Sequence, residues 1–503
     1  MGRPFIYLCV SVMLGILLGF LFSVSIEGYV LIGIFAILLL CIFFYNRYAL
    51  LFISLVFLLA GNFIFHSYMK GGTLITAHSS SNLQLKAEIK SEAIDRGRYL
   101  EYDVYIHKLL SYSEVIPVSE MCKLQVKNSR DLYKHLSPGD IVVLNHTALV
   151  EDLRGNHLDG YQFYLKGKGF KGILEVEGRN ISAFNERNGF SLLKISYTTR
   201  KYIEGVLDQS LSPLHSGMLK SIMFGNQGYL DSEMLKLFSI SGTAHIIAVS
   251  GLHVGVIALL LHQLLKFFNL SKKKILMITM LVLFFYSAIV NFPISIVRAS
   301  SMYYLYVLSY FIERRYDAIN SLMMIALILL LYNPLNLFSV SFQLSFSATL
   351  SILLLYPIIK EKLIFIPKQL QSLLAVTISA QVGTIPILIY HFQQMSLVAF
   401  IANILIVPTL VPLLFMAFAS IFFSLFAIEL AVTINYLTNL LLTYIYWIVN
   451  NLSQWSLASI EVAEIKFFHI LVYYLTGFVV YLILWQQHQK KLMKEKEGIS
   501  YEL

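Results

Sequence analysis

Residues 240–262, ISGTAHIIAVSGLHVGVIALLLH, place His245, Ser250 and His253 in an otherwise apolar stretch. Read as one helix, Ser250 and His253 fall about 140° and about 80° round from His245, so all three share one side. A hydroxyl and imidazoles brought together could do two kinds of chemistry. They can exchange protons, as a serine nucleophile does with a histidine base, or they can offer hydrogen bonds to a polar cargo crossing hydrocarbon. A plainer use is interhelical bonding, with Gly251 and Gly255 permitting close packing. Zinc does not fit, because His245 and His253 lack the i, i+4 spacing of a helical ligand pair.

Four more polar side chains sit where plain anchors would carry none: Arg298 in NFPISIVRASS, Gln343 in SVSFQLSFSA, Gln381 in SAQVGTIPIL and Asn403 in IANILIVPTLVP. An arginine at bilayer depth costs at least about 2.5–3.5 kcal/mol on insertion scales, so a partner or an anionic cargo is expected. The alternative is a side chain snorkelling to the interface near Pro293. Pro386, Pro408 and Pro412 predict broken helices, tolerated at depth where protein or water satisfies the freed backbone. Outside the apolar segments, GYQFYLKGKGFKG (160–172) interleaves Tyr161, Phe163, Tyr164 and Phe170 with Lys166, Lys168 and Lys171. That composition suits stacking on single-stranded nucleic acid and equally an ordinary core helix with a basic edge.

The elements that must hold these groups follow from hydropathy and period. With 503 residues, 57% hydrophobic and 13% charged, and a mean hydropathy of +0.70, the chain reads as an α-helical polytopic membrane protein. About 10–11 transmembrane or re-entrant helices are expected. Apolar segments near 5–24, 28–45 and 48–69 fill an amino-terminal block over 1–70, a retained anchor with no small-residue cleavage site. Between 80 and 185 the period changes to two, in LQLKAEIK, RYLEYDVYIHKLL, MCKLQVK, DIVVLNHTALV and KGILEVEG. These five runs predict a small inserted β-barrel of OB type. Over 189–240 amphipathic helices, including 195–211 and 231–240, are expected at the outer membrane surface. A second membrane block runs over 243–487, followed by a basic tail at 488–503.

The net charge of +9 does not by itself argue for nucleic acid, since residues 70–215 hold 19 Lys and Arg against 17 Asp and Glu. Basic residues at 272–274, 314–315, 360 and 362 and in the tail fall on one side at alternate crossings. That pattern places both termini in the cytoplasm and the barrel outside the cell membrane. Cys122 alone falls in the barrel, so no disulfide forms within it. Gly167-Lys168-Gly169 lacks the hydroxyl and glycine spacing of a nucleotide-binding loop.

AHIIAVSGLHVGVI (244–257), SIVRAS (295–300), YNPLNLFSVSFQLSFSATL (332–350) and SAQVGTIPILIYHFQQMSLVAFIANILIVP (379–408) resemble, in order, the motifs of the ComEC family of bacterial DNA-uptake channels. SPGDIV (137–142) and YQFYLKGKGF (161–170) are similar to that family's amino-terminal extracytoplasmic module. The resemblance covers nearly the whole chain. It implies import of single-stranded transforming DNA through the cytoplasmic membrane. His245, Ser250, Gly251 and His253 would belong to the signature helix of the path, with Arg298, Gln343, Gln381 and Asn403 supporting or lining it. Implied partners are single-stranded DNA, the lipid bilayer, a surface DNA receptor and a cytoplasmic helicase-like ATPase, with no cofactor. Many relatives continue into a metallo-β-lactamase-like domain, whereas this sequence stops at GISYEL without an HxHxDH cluster. The expectation is a short form with neither a catalytic residue nor a metal site, served by a separate nuclease. Whether one copy or a homodimer forms the path stays open. The alternatives are an intramembrane serine hydrolase on Ser250, with His253 or His391 as base, and a non-transporting scaffold of a DNA-uptake complex.

Overall fold

A computed structural model describes residues 3–22, 49–73, 83–110, 115–127, 136–155, 158–184 and 191–500. The span expected at 28–45 lies outside them. The chain divides into two compact units, one of residues 1–200 and 323–339, the other of 201–322 and 340–503.

The first unit opens with helices α1 (Pro4–Phe22) and α2 (Ala49–Lys70), each long and apolar enough to cross a membrane. They meet through small residues. A Cβ on Gly15 would lie 2.0 Å from the Leu58 carbonyl oxygen, and one on Gly61 2.5 Å from that of Val12. Such close backbone approach is how helices associate where lipid supplies no hydrophobic drive. A seven-stranded mixed sheet follows: β1 (Leu83–Ile89), β2 (Ile94–Asp95), β3 (Tyr99–Leu110), β4 (Val115–Lys127), β5 (Ile141–Asp152), β6 (Phe170–Glu177) and β7 (Ile181–Phe184). Helix α3 (Gly160–Gly167) lies between β5 and β6.

The strand order is β1-β3-β4-β6-β5-β7, with β2 on β3, a further pairing of β1 with β5, and β4 parallel to β6. The sequence reading expects five strands. The two extra ones are too short, at two and four residues, for alternation to declare them. In the long strands alternation holds: Leu85, Ala87, Ile89, Val104, Ile106, Cys122, Leu124, Val126 and Leu144 form one buried face.

The second unit begins within α4 (Leu192–Ser210) and continues with α5 (Pro213–Phe224) and α6 (Ser232–Ile240). Ser212 and Asp231 cap the last two, accepting from His215 N at 3.4 Å and Met234 N at 2.7 Å. Helix α5 departs from the expected surface collar. Met218, Leu219, Ile222 and Met223 are buried in the unit's main core with Ile246, Val254, Leu283, Leu413 and Leu442. Ser216 and Ser221 are small enough to be buried with them, while Lys220 stays half-buried with its Nζ 2.7 Å from Asp208 Oδ1.

Helices α7 (Gly251–Phe267), α8 (Lys272–Ile289), α9 (Ile294–Phe311), α10 (Ala318–Tyr332), α11 (Val340–Lys362), α12 (Lys368–Phe392), α13 (Ala399–Ser424), α14 (Ile428–Ser453) and α15 (Phe467–Ser500) follow. Residues 323–332 of α10 group with the first unit. A short ribbon pairs Gln394–Ser396 with Ser459–Glu461. Seven helices among the described residues, α1, α2 and α11–α15, are long and apolar enough to span a bilayer, with α7 and α10 as shorter apolar helices. The protein is multi-pass.

Pro386, Pro408 and Pro412 do not break their helices, contrary to expectation, since α12 and α13 run through them. At Pro386 the reason is visible. A proline cannot donate to the carbonyl four residues back, and that carbonyl, Val382 O, accepts instead from Tyr473 Oη of α15 at 3.0 Å. Tyr474 Oη donates likewise to Gly383 O at 2.7 Å.

Candidate functional site: an arginine at a helix start

The stretch 241–250 is not helical. This corrects the reading of 240–262 as one helix, and the shared face of His245, Ser250 and His253 dissolves with it. His245 stands exposed in the irregular segment. Ser250 has extended backbone and is the N-cap of α7, its Oγ accepting from Leu252 N at 3.3 Å. His253, nearly fully buried, closes a capping box in which imidazole takes the place usual for Glu or Gln: its Nδ1 accepts from Ser250 N at 3.2 Å. Because Nδ1 accepts, the ring proton belongs on Nε2, which faces the Ile222 carbonyl without a bond of normal geometry. The Ser250 hydroxyl lies 3.2 Å from the same Nδ1, so serine and histidine meet as a helix-start device. The interruption just ahead of Ser250 leaves few local signals beyond Gly242, whose φ is +71°.

Gly251 is the first residue of α7, and its missing side chain admits Arg298 of α9. A Cβ there would lie 2.9 Å from Arg298 Nη2. Arg298 is 7% exposed. Its Nη1 donates to the Ser345 carbonyl of α11 at 2.5 Å, and its guanidinium carbon stands 6.0 Å from the Phe346 ring. Phe346 stacks on Phe342 with centroids 4.3 Å apart. The Nε of Arg298 and the Oγ of Ser345 are buried without hydrogen-bond partners. Ser345 and Phe346 were not singled out in sequence, although both lie in SVSFQLSFSA.

The other membrane residues scatter. Gln343 meets a group the path reading left out, His391 of α12, with Nε2 and Oε1 2.8 Å apart. Gln381 is half-buried on α12 and Asn403 is buried on α13 with Oδ1 unpartnered. Among the described residues neither hydrogen-bonds to the Gly251–Arg298 cluster. The structure therefore joins Ser250, Gly251, His253 and Arg298, and leaves Gln343, Gln381, Asn403 and His245 outside that contact.

In the first unit, α3 divides the aromatic and basic residues. Tyr161 and Tyr164 are exposed, and exposed Lys168 holds its Nζ 5.7 Å from the Tyr164 ring. Lys171 is half-buried with Nζ 5.0 Å from the Tyr68 ring. Lys166 and Phe170 face inward. Phe170 packs with Leu153, Leu165 and Ile173. Lys166 is buried, and its Nζ donates to the carbonyls of Met69 (2.7 Å), Gly71 (3.1 Å) and Leu153 (2.5 Å). Burial pulls its pKa down to about 8, opposed by three carbonyls that favour the ammonium. Lysine thus caps the end of α2 and ties it to the sheet.

The turn at 333–338 completes this region. Asn333 Oδ1 accepts from Leu335 N at 3.0 Å while Nδ2 donates to Gly167 O at 2.8 Å. The Phe338 ring lies 4.7 Å from Phe20, 5.8 Å from Phe163 and 6.4 Å from Phe65.

Comparison with known proteins bears on residues of both units. The competence protein family matches over residues 222–487. ComE operon protein 3 of Bacillus subtilis (strain 168) is 30% identical over 209 residues, 42% of this chain and 26% of that protein. An uncharacterized protein of Aquifex aeolicus (strain VF5) is 33% identical over 221 residues, 44% of this chain and 49% of the other. Recombination protein 2 of Haemophilus influenzae (strain ATCC 51907 / DSM 11121 / KW20 / Rd) is 26% identical over 250 residues, 46% and 32% of the two chains. The chain spans between about a quarter and about half the length of these relatives. No solved structure matches. With the Ser250–His253 cap, Arg298, Gln343, Gln381 and Asn403 all inside a match that covers more than half of its length, this multi-pass chain belongs to the competence protein family, as a ComEC-type member.

Proposed function

We propose that this chain forms the membrane path by which single-stranded DNA enters the cytoplasm during natural transformation. The observation that carries the reading is Arg298: a guanidinium held inside the membrane unit, bonded to a backbone carbonyl, with no ion pair among the described residues. A buried cation without a carboxylate is costly unless an anion visits it, and nucleic acid is a polyanion. Family membership supports DNA as that anion.

The sheet of the first unit fits the same reading. Strand β1 pairs with both β3 and β5; a mixed sheet wrapped round in this way suits an OB-like fold, and the distribution of basic residues favours its lying outside the cell with both termini cytoplasmic. Exposed Tyr161, Tyr164 and Lys168 would stack on and neutralise a strand there, with Lys171 at the margin. A surface receptor would deliver DNA, a separate nuclease would remove one strand, and a cytoplasmic helicase-like ATPase would pull the other, working with one copy or a homodimer of this chain. The chain itself would catalyse nothing. In the hydrolase reading His253 or His391 must activate Ser250, yet His253 Nδ1 already accepts from the Ser250 amide and His391 Nε2 is engaged with Gln343 Oε1 at 2.8 Å.

The test is uptake of labelled duplex DNA by cells lacking the gene, complemented with wild type or Arg298→Ala at equal membrane abundance. Wild type should restore nuclease-protected cytoplasmic DNA, and Arg298→Ala should lower it at least roughly tenfold. Normal surface binding with no protected DNA from wild type would overturn the channel in favour of a scaffold.

A further inference from the structure

The start of α7 and Arg298 carry like charge. A helix N-terminus carries roughly half a positive charge, and the guanidinium comes so close that a Cβ at position 251 would stand 2.9 Å from Nη2. Two positive groups pressed together, one of them buried, repel each other unless something negative lies between them. Among the described residues no carboxylate forms an ion pair with Arg298. The one hydrogen bond of Arg298 among the described residues goes from Nη1 to Ser345 O, which also accepts from Thr349 Oγ1 at 3.0 Å. Arg298 Nε and Ser345 Oγ, two buried donors on facing helices, have no acceptor.

We propose that the first turn of α7, the Arg298 guanidinium and the Ser345 hydroxyl form a site for one phosphodiester anion. The chemistry fits: guanidinium and hydroxyl donors beside the positive end of a helix complement a singly charged oxyanion. Gly251 is part of the site because a methyl group there would meet Nη2. Partial desolvation with few donors makes the contact weak enough to release, as successive phosphates in a moving strand require. This inference rests on the reading of the chain as a DNA path, and a lipid head group offers the same phosphodiester.

The test uses the full chain in a maltoside detergent, with a photo-crosslinking amino acid in place of Leu252, the partly exposed second residue of α7. The probes are a labelled oligothymidylate and its uncharged methylphosphonate counterpart. The phosphodiester strand should crosslink roughly ten times more than the uncharged one, as for loss of one charge-assisted contact. Gly251→Ala and Arg298→Ala should erase that ratio, and Arg298→Lys should keep part of it. Comparing the two strands on otherwise unaltered protein needs no folding control. A parallel arm adds phosphatidylglycerol: if it suppresses crosslinking, the site takes a lipid phosphodiester, and if not, it takes the strand. Equal crosslinking of both strands overturns the site. If wild type meanwhile restores DNA uptake in cells, the channel reading survives without it.

Discussion

Single residues in this protein take roles that their type alone does not declare. Ser250 and His253 are recognisable in sequence as polar groups at membrane depth, but their assignment as a helix cap depends on a turn at 241–250 that contains no proline. Arg298 was legible as a cation in need of a partner or an anionic cargo, and the Ser345 carbonyl is such a partner. What sequence could not give was its neighbour, since Gly251 lies far away in the chain and adjacency of helix starts is a tertiary fact. Lys166 and Phe170 show the opposite error of inference. Their letters suit a nucleic-acid surface, yet Lys166 lies on the buried side of α3 and Phe170 opens β6 with its ring packed inward. Glu101 offers a clean test of charge in the same unit. Burial alone would raise its carboxyl pKa, but Lys123 at 2.9 Å and Arg96 at 3.5 Å hold it below the ordinary value. A carboxyl with a lowered folded pKa adds stability above its unfolded value, near 4.5, and loses it as pH falls through the folded one. The unfolding midpoint of wild type should therefore drop below about pH 4.5, and Glu101→Gln should flatten that part of the pH profile.

At the scale of elements, alternation and apolar length were the dependable signals. They located the long strands and most membrane helices, because a two-residue period and a run of about 20 apolar residues each leave a direct trace. Proline was a poor signal. Pro386 reads as a break, and the helix continues because another helix supplies the missing donor, which no local pattern records. The bond from Tyr473 is testable by a double-mutant cycle. Tyr473→Phe should cost about 0.5–1 kcal/mol of stability in detergent. In the Pro386→Ala background, where the helix regains its own bond to Val382 O, the same change should cost close to nothing. Equal costs in both backgrounds would show that the tyrosine does not replace the proline's missing donor.

For the whole molecule, the division into units could not be read from hydropathy. The motif YNPLNLFSVSFQLSFSATL looks continuous, but residues up to Ser339 belong with the first unit and those from Val340 with the second. Its asparagines shape a turn and its Phe338 joins an aromatic group with Phe20, Phe65 and Phe163. Phe338→Ala should lower the stability of the first unit by about 2–4 kcal/mol, read as an earlier thermal loss of the β-sheet circular-dichroism signal. The return of 323–339 to a unit whose other part ends at residue 200 also has a consequence in time. On the ribosome, the first unit remains incomplete until roughly 140 further residues have been made, on the order of 7–28 s at bacterial elongation rates. Through that interval the faces of Phe20 and Phe163 that receive Phe338 stand open, a window in which a chaperone or membrane insertase would find them, and which a slow codon near position 323 would lengthen.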